Sequence, residues 1–219
     1  PQAVWDKFIL AATEGVANST LLEHTTTSLM RVFGAFLLSC VTAIPIGILM
    51  GTNRVMRGVF DPPIEFYRPL PPLAYLPLMI IWFGIGELSK ILLIFLAVFA
   101  PMAISARAGV RSVGIEQIHA AYTMGASKFQ IISFFFNDTA TTEILTGMRI
   151  GIGFGWTTLV AAEMIAANRG LGFMVLNAAQ YLQSDTVIMG IVVIGLFAFG
   201  FDLLMRRVER VLVPWKGKV

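Results

Sequence analysis

Few side chains in this 219-residue chain could do covalent chemistry, and their spacing gives them little to do. His24 and His119 are far apart, and neither belongs to a metal-binding pair such as two histidines four residues apart. Cys40 stands alone inside an apolar run, which leaves no disulfide framework and no metal cluster; it reads as a small core or lipid-facing residue. No nucleophile, base and orienting group gather in one motif, so a membrane enzyme finds no support. What remains is recognition by charge. Arg68, inside Tyr67-Arg68-Pro69-Leu70-Pro71-Pro72, either meets the anionic end of a solute on a translocation path or snorkels to lipid headgroups. Glu163, ahead of Asn168-Arg169-Gly170-Leu171-Gly172, either faces such a path or plays a structural part.

A further group of residues could bind a protein surface. Residues 116 to 136 form a moderately polar island in an oily sequence, opening on Glu116 and carrying Ala120, Ala121, Gly125, Ala126, Ser127 and Lys128. Small side chains recurring at helical spacing let another surface come close. The pattern predicts a short helix, a glycine turn and a second helix with Phe129, Ile132 and Phe136 on one face. It fits a docking knuckle, or a helix hairpin with small residues at a crossing.

The elements that must hold these residues are set by composition. Hydrophobic residues make up 57% and charged residues 13%, with a mean hydropathy of +0.78, against roughly one-quarter charged residues in soluble domains. The expected fold is an all-α membrane protein, a polytopic helix bundle with spans at about 32–53, 64–86, 91–106, 144–166 and 186–205. The net charge of +3 is spread between apolar runs, not gathered in a stripe, so it is no nucleic-acid footprint. The second span is broken, because Pro69, Pro71, Pro72 and Pro77 forbid one straight helix. Irregular backbone at membrane depth is tolerated where it is buried or lines a wet cavity, which makes Tyr67 to Pro72 a candidate path. The alternative is an interfacial loop leading into a short helix from Leu73. In the fourth span Gly147, Gly151 and Gly155 share one helical face and predict a helix contact. Residues 1–23 are mildly amphipathic, lack a starting methionine and show no signal peptide, so the true start is expected upstream.

Orientation follows from charge. Placing the island in the cytoplasm puts Arg54, Arg57, Arg107, Arg111, Lys128, Arg149 and the basic tail inside and leaves Lys7, Arg31, Lys90 and Arg169 outside, as the positive-inside rule prefers.

With these motifs in view, the whole chain resembles the permeases of the sulfonate, nitrate and bicarbonate group of ABC importers, with the island at the family's coupling-loop position. Tyr67-Arg68-Pro69-Leu70-Pro71-Pro72-Leu73-Ala74, Ile81-Trp82-Phe83-Gly84-Ile85-Gly86, Leu159-Val160-Ala161-Ala162-Glu163 and Arg169-Gly170-Leu171-Gly172-Phe173-Met174-Val175 are most similar to the taurine branch. The resemblance implies a single permease domain over 1–219 in the bacterial inner membrane, with one more span before the first seen here. It implies a second permease copy, two cytoplasmic ATPase subunits that carry ATP and Mg, and an extracytoplasmic substrate-binding protein. No cofactor or metal is expected in this chain. The solute implied is taurine or another aliphatic sulfonate, with nitrate or bicarbonate as the alternative. A secondary transporter without an ATPase would call for internal repeats or an intramembrane acid relay, and neither is evident.

One stretch departs from the family. Asn137-Asp138-Thr139-Ala140-Thr141-Thr142 stands where the loop usually continues as a Leu-Pro-Gly-Ala-Leu-Pro-like turn. Two origins fit: a polar turn in which Asn137 or Asp138 caps the next helix, or a translated sequencing adapter, since a widely used adapter encodes Asn-Asp-Thr-Ala-Thr-Thr-Glu-Ile in one frame. Genomic DNA across the locus distinguishes them.

Overall fold

The computed structural model describes residues 2–17, 19–127, 130 and 140–214. In chain order the helices are α1 (Gln2–Thr13), α2 (Leu21–Thr52), α3 (Arg54–Tyr67), α4 (Pro72–Phe83), α5 (Glu87–Arg111), α6 (Ile115–Thr123), α7 (Thr141–Ala166), α8 (Leu171–Gln180) and α9 (Ser184–Leu212). Among the described residues there is no strand, only an isolated bridge between Val16 and Ser19. Four helices, α2, α5, α7 and α9, are long and apolar enough to cross a membrane.

One helix start differs from the expected span, and the expected break in the second span is seen. The first span was expected from residue 32, but α2 starts at Leu21. Thr20 and Glu23 close a capping box there: the Thr20 N–H donates to Glu23 Oε2 at 3.1 Å, and the Glu23 N–H donates to Thr20 Oγ1 at 3.3 Å. The hydroxyls of Thr26 and Thr27 then bond back to the Glu23 carbonyl, so a polar sequence is carried as helix. Arg31, expected outside the span, lies within α2. The second expected span, 64–86, is not one helix. It divides into the end of α3, a break at 68–71, and α4 of 12 residues, about 18 Å long at 1.5 Å per residue and too short for a 30 Å hydrocarbon core. Pro71 caps α4, Pro72 opens it, and Gly84 ends it at φ +77°.

The chain divides into two compact units. The first comprises residues 1–37, 71–97 and 152–202. Its packing centres on Ala11, Leu21, Leu171, Met174, Met189 and Val193, with a second cluster of Leu76, Met79, Leu93 and Ala162. Phe201 sits between Phe33 and Phe36, with ring centroids 5.2 and 5.5 Å away.

The other unit comprises residues 38–70, 98–151 and 203–219. Glycines let its helices touch. A Cβ on Gly47 would run into the Ala103 carbonyl oxygen, one on Gly51 would lie 2.7 Å from Val110, and one on Gly147 would collide with Ser105. Lipid supplies no hydrophobic drive between helices, so this close contact is the adhesive. Asp61 and Glu65, one turn apart on α3, both pair with Arg107 of α5. Ala140 is buried against Ala106 and Ile144, and Thr141 and Thr142 open α7. Asn137, Asp138 and Thr139 lie outside the described residues, as does the expected second helix of the island except Gln130.

Candidate functional site

The knuckle is built by its own backbone. At the end of α6 the Ala126 N–H reaches the Ala121 carbonyl at 3.0 Å and the Gly125 N–H reaches the Tyr122 carbonyl at 3.0 Å. With Gly125 at φ +84°, this is the paired-bond motif that ends a helix on a left-handed residue. The chain turns at once into a capping pair, in which the Ser127 N–H donates to Gln130 Oε1 at 2.8 Å and the Gln130 N–H to Ser127 Oγ at 3.3 Å. Glu116, Ala120, Gly125 and Ser127 are exposed, Ala121 and Ala126 half-buried. Met124, at the tip, is 88% exposed. A preformed corner with an open rim and small side chains is what close docking needs. Lys128, Phe129, Ile132 and Phe136 lie outside the described residues.

Tyr67, Arg68 and Pro69 occupy the break after α3, and Arg68 caps that helix, its N–H bonded to the Ile64 carbonyl. Arg68, Pro69 and Pro71 are exposed, while Tyr67 and Pro72 are half-buried. Glu163 belongs to the first unit, Tyr67 to Pro69 to the second, and Pro71 and Pro72 to the first.

Glu163 is surrounded by residues that the sequence reading did not connect to it. On α2, His24, Ser28 and Arg31 fall at i, i+4 and i+7 and so share one face. This face meets the start of α8, whose first N–H groups have no partners within the helix. The Gly170 N–H donates to His24 Nδ1 at 3.0 Å, the Leu171 N–H to Ser28 Oγ at 2.9 Å, and the Gly172 N–H to Glu163 Oε2 at 2.9 Å. Since His24 Nδ1 accepts, the ring proton sits on Nε2 and is donated to the Val16 carbonyl at 2.9 Å. Ser28 Oγ donates to Glu163, and Arg31 NH1 spans Glu163 Oε1 and the Arg169 carbonyl, both at 2.7 Å. The rest of the Arg31 fork holds Glu87, with Nε to Oε2 at 2.5 Å and NH2 to Oε1 at 2.7 Å. Lys90 Nζ reaches the same carboxylate at 3.1 Å.

The cluster thus pairs two cations with two carboxylates. Glu163 is 0% and Arg31 3% exposed, whereas Glu87 is 57% exposed. Arg31 and Lys90, expected as flanking charges outside the spans, are instead buried inside α2 and α5. The signal available was the spacing His24, Ser28, Arg31 behind the Thr20/Glu23 capping box. The two glycines are set by close packing on α7: a Cβ on Gly170, at φ +132°, would strike the Glu163 carboxyl group, and one on Gly172 would lie 2.6 Å from the Val160 carbonyl oxygen. Glu163 is held as the joint of α2, α7 and α8.

Along α7, a Cβ on Gly151 would lie 3.2 Å from Val98 of α5, and Gly147 is set against Ser105 and Pro101 of the same helix; Gly155 is buried. Among the described residues no group of three His, Cys, Asp or Glu is placed to hold a metal ion.

Long apolar helices, a broken connection and a preformed exposed corner define a multi-pass membrane permease bundle. Residues 43–213 match the family of binding-protein-dependent transport system inner membrane components, and the chain belongs to that family. It is 53% identical over 220 residues to the taurine transport system permease protein TauC of Escherichia coli (strain K12), covering 100% of this chain and 80% of that protein. It is 34% identical to a Bacillus subtilis (strain 168) permease protein, SsuC, named for aliphatic sulfonates, covering 95% of this chain and 76% of the relative. It is 32% identical to the nitrate import permease protein NrtB of Synechocystis sp., covering 87% and 70%. The chain is a multi-pass protein of the inner membrane, a permease subunit of an ABC-type importer.

Proposed function

We propose that this subunit passes taurine, or a closely similar aliphatic sulfonate, into the cell. The observation that carries the reading is 53% identity along the full chain to a taurine permease, against 32% to a nitrate permease. In this reading two copies form the pathway, two ATPase subunits carrying ATP and Mg bind beneath them, and an extracytoplasmic protein delivers the solute. The corner from Glu116 to Lys128 is the ATPase-coupling surface. When the ATPases close on ATP, the corners move with them, and the helices shift between outward-open and inward-open states that bind the partners differently. Chemistry stays on the ATPases; this chain supplies a path and a lever.

Charge supports this orientation. The unit that contains the corner holds twelve of the sixteen Lys and Arg residues against six acids, while the other holds four bases and seven acids. By the positive-inside rule the basic unit faces the cytoplasm. Arg68, exposed at the break, offers a weak polar contact to a sulfonate without a deep trap. Uptake into vesicles containing the permease, its ATPase and its binding protein tests the substrate. Taurine should outcompete nitrate and bicarbonate, and preferential transport of either inorganic anion would overturn the assignment.

A further inference from the structure

The basic unit carries one further feature. A cavity of about 480 Å³ lies against the C-terminal end of α9, lined by Arg149, Arg206, Glu209, Arg210, Val213 and Pro214. Three guanidinium groups and one carboxylate face it. Arg206 and Arg210 are one helical turn apart and so lie on one face of α9. Arg149 enters from α7 and is braced by Glu209, NH1 to Oε2 at 3.3 Å. All three sit on long helices, so their forks are presented by rigid elements.

The same end of α9 is oily on its outside: Leu204, Val211 and Leu212 are 54%, 78% and 52% exposed. A ligand that fits both features has an anionic phosphate head and acyl tails. We propose that this cavity binds the phosphate group of an anionic phospholipid from the cytoplasmic leaflet. The size suits a headgroup, since small-molecule pockets run from about 300 to 1,000 Å³. Arginine forks match phosphate oxygens two at a time, and basic pockets between membrane helices on the cytoplasmic side are suited to anionic headgroups. The proposal rests on the orientation above but not on the substrate.

The test uses the permease purified with its ATPase and placed in nanodiscs, where spin-labelled phosphatidylglycerol is compared with spin-labelled phosphatidylcholine. Retention should favour phosphatidylglycerol, and Arg206→Gln or Arg210→Gln should each lower the preference about fivefold, the order of gain expected for one arginine near an anionic surface. Arg57→Gln, in the same basic unit but outside the cavity, should leave it unchanged and so serves as the control for general charge. Arg206→Lys should retain part of the preference, because it keeps the charge and loses the fork. Undiminished preference in Arg206→Gln/Arg210→Gln overturns the site. Displacement of the lipid by millimolar inorganic phosphate assigns the cavity to a free oxyanion and overturns the lipid.

Discussion

Removing the negative charge of Glu163 takes from Arg31 its buried carboxylate partner, leaving it Glu87 and the Arg169 carbonyl, and weakens the acceptor of the Gly172 N–H. Breaking a buried ion pair from one side costs about 3–5 kcal/mol, so Glu163→Gln is expected to lower the melting temperature of the purified complex far more than any neighbouring surface change. Arg31→Gln combined with Glu163→Gln should cost less than the sum of the two, which a double-mutant cycle measures. Gly170→Ala places a Cβ against the same carboxyl group at φ +132° and should abolish folded protein, whereas Gly195→Ala meets open space and should be silent. Arg68 behaves differently. If it touches the solute, Arg68→Ala lowers the rate of taurine uptake while leaving the apparent affinity, set by the binding protein, nearly unchanged; unaltered flux returns the residue to a headgroup anchor. The sequence singled out Glu163 and the glycines near it but not His24, Ser28 or Arg31. Their partners lie more than a hundred positions away, and no local pattern records such pairing; only the shared helical face of the three was readable.

The bounds of α7 lie close to its apolar run, whereas α9 continues to Leu212, past the expected end at 205, and α2 starts well before its apolar run. In α2 the hydroxyls of Thr26 and Thr27 bond back to Glu23, and the helix runs through this polar stretch. The proline-rich break was anticipated, and of the two readings offered for it the short helix from about Leu73 matches α4, which Gly84 ends before a span is complete. The knuckle's turn was visible in Gly125 itself. Its left-handed φ distinguishes turn from contact: Gly125→Asn, which tolerates that region, should preserve the corner, while Gly125→Val should not. Docking is better tested at exposed Ala120, where no strain intervenes. Ala120→Glu should leave the permease inserted and reduce copurification of the ATPase at least tenfold, because a bulky charge at a close contact is left unpaired. Copurification and uptake both at wild-type levels would remove the docking role.

At the scale of the molecule, charge and oil divide the work. Only 22% of the most apolar stretch of α9 is buried, so most of that helix is left for lipid or for a second copy. Composition announced the membrane, because it is a sum over many residues and survives errors in any one boundary. The proposed substrate rests on likeness alone, since the exposed residues at the break after α3, Arg68, Pro69 and Pro71, identify no solute. The account's central claim is that this bundle is a lever worked by separate ATPases to import taurine. Vesicles carrying the permease, the binding protein and an ATPase with its P-loop lysine intact should accumulate taurine when ATP is supplied on the ATPase side, and replacing that lysine should abolish accumulation. Equal taurine uptake with the disabled ATPase, or without any ATPase, would contradict the account.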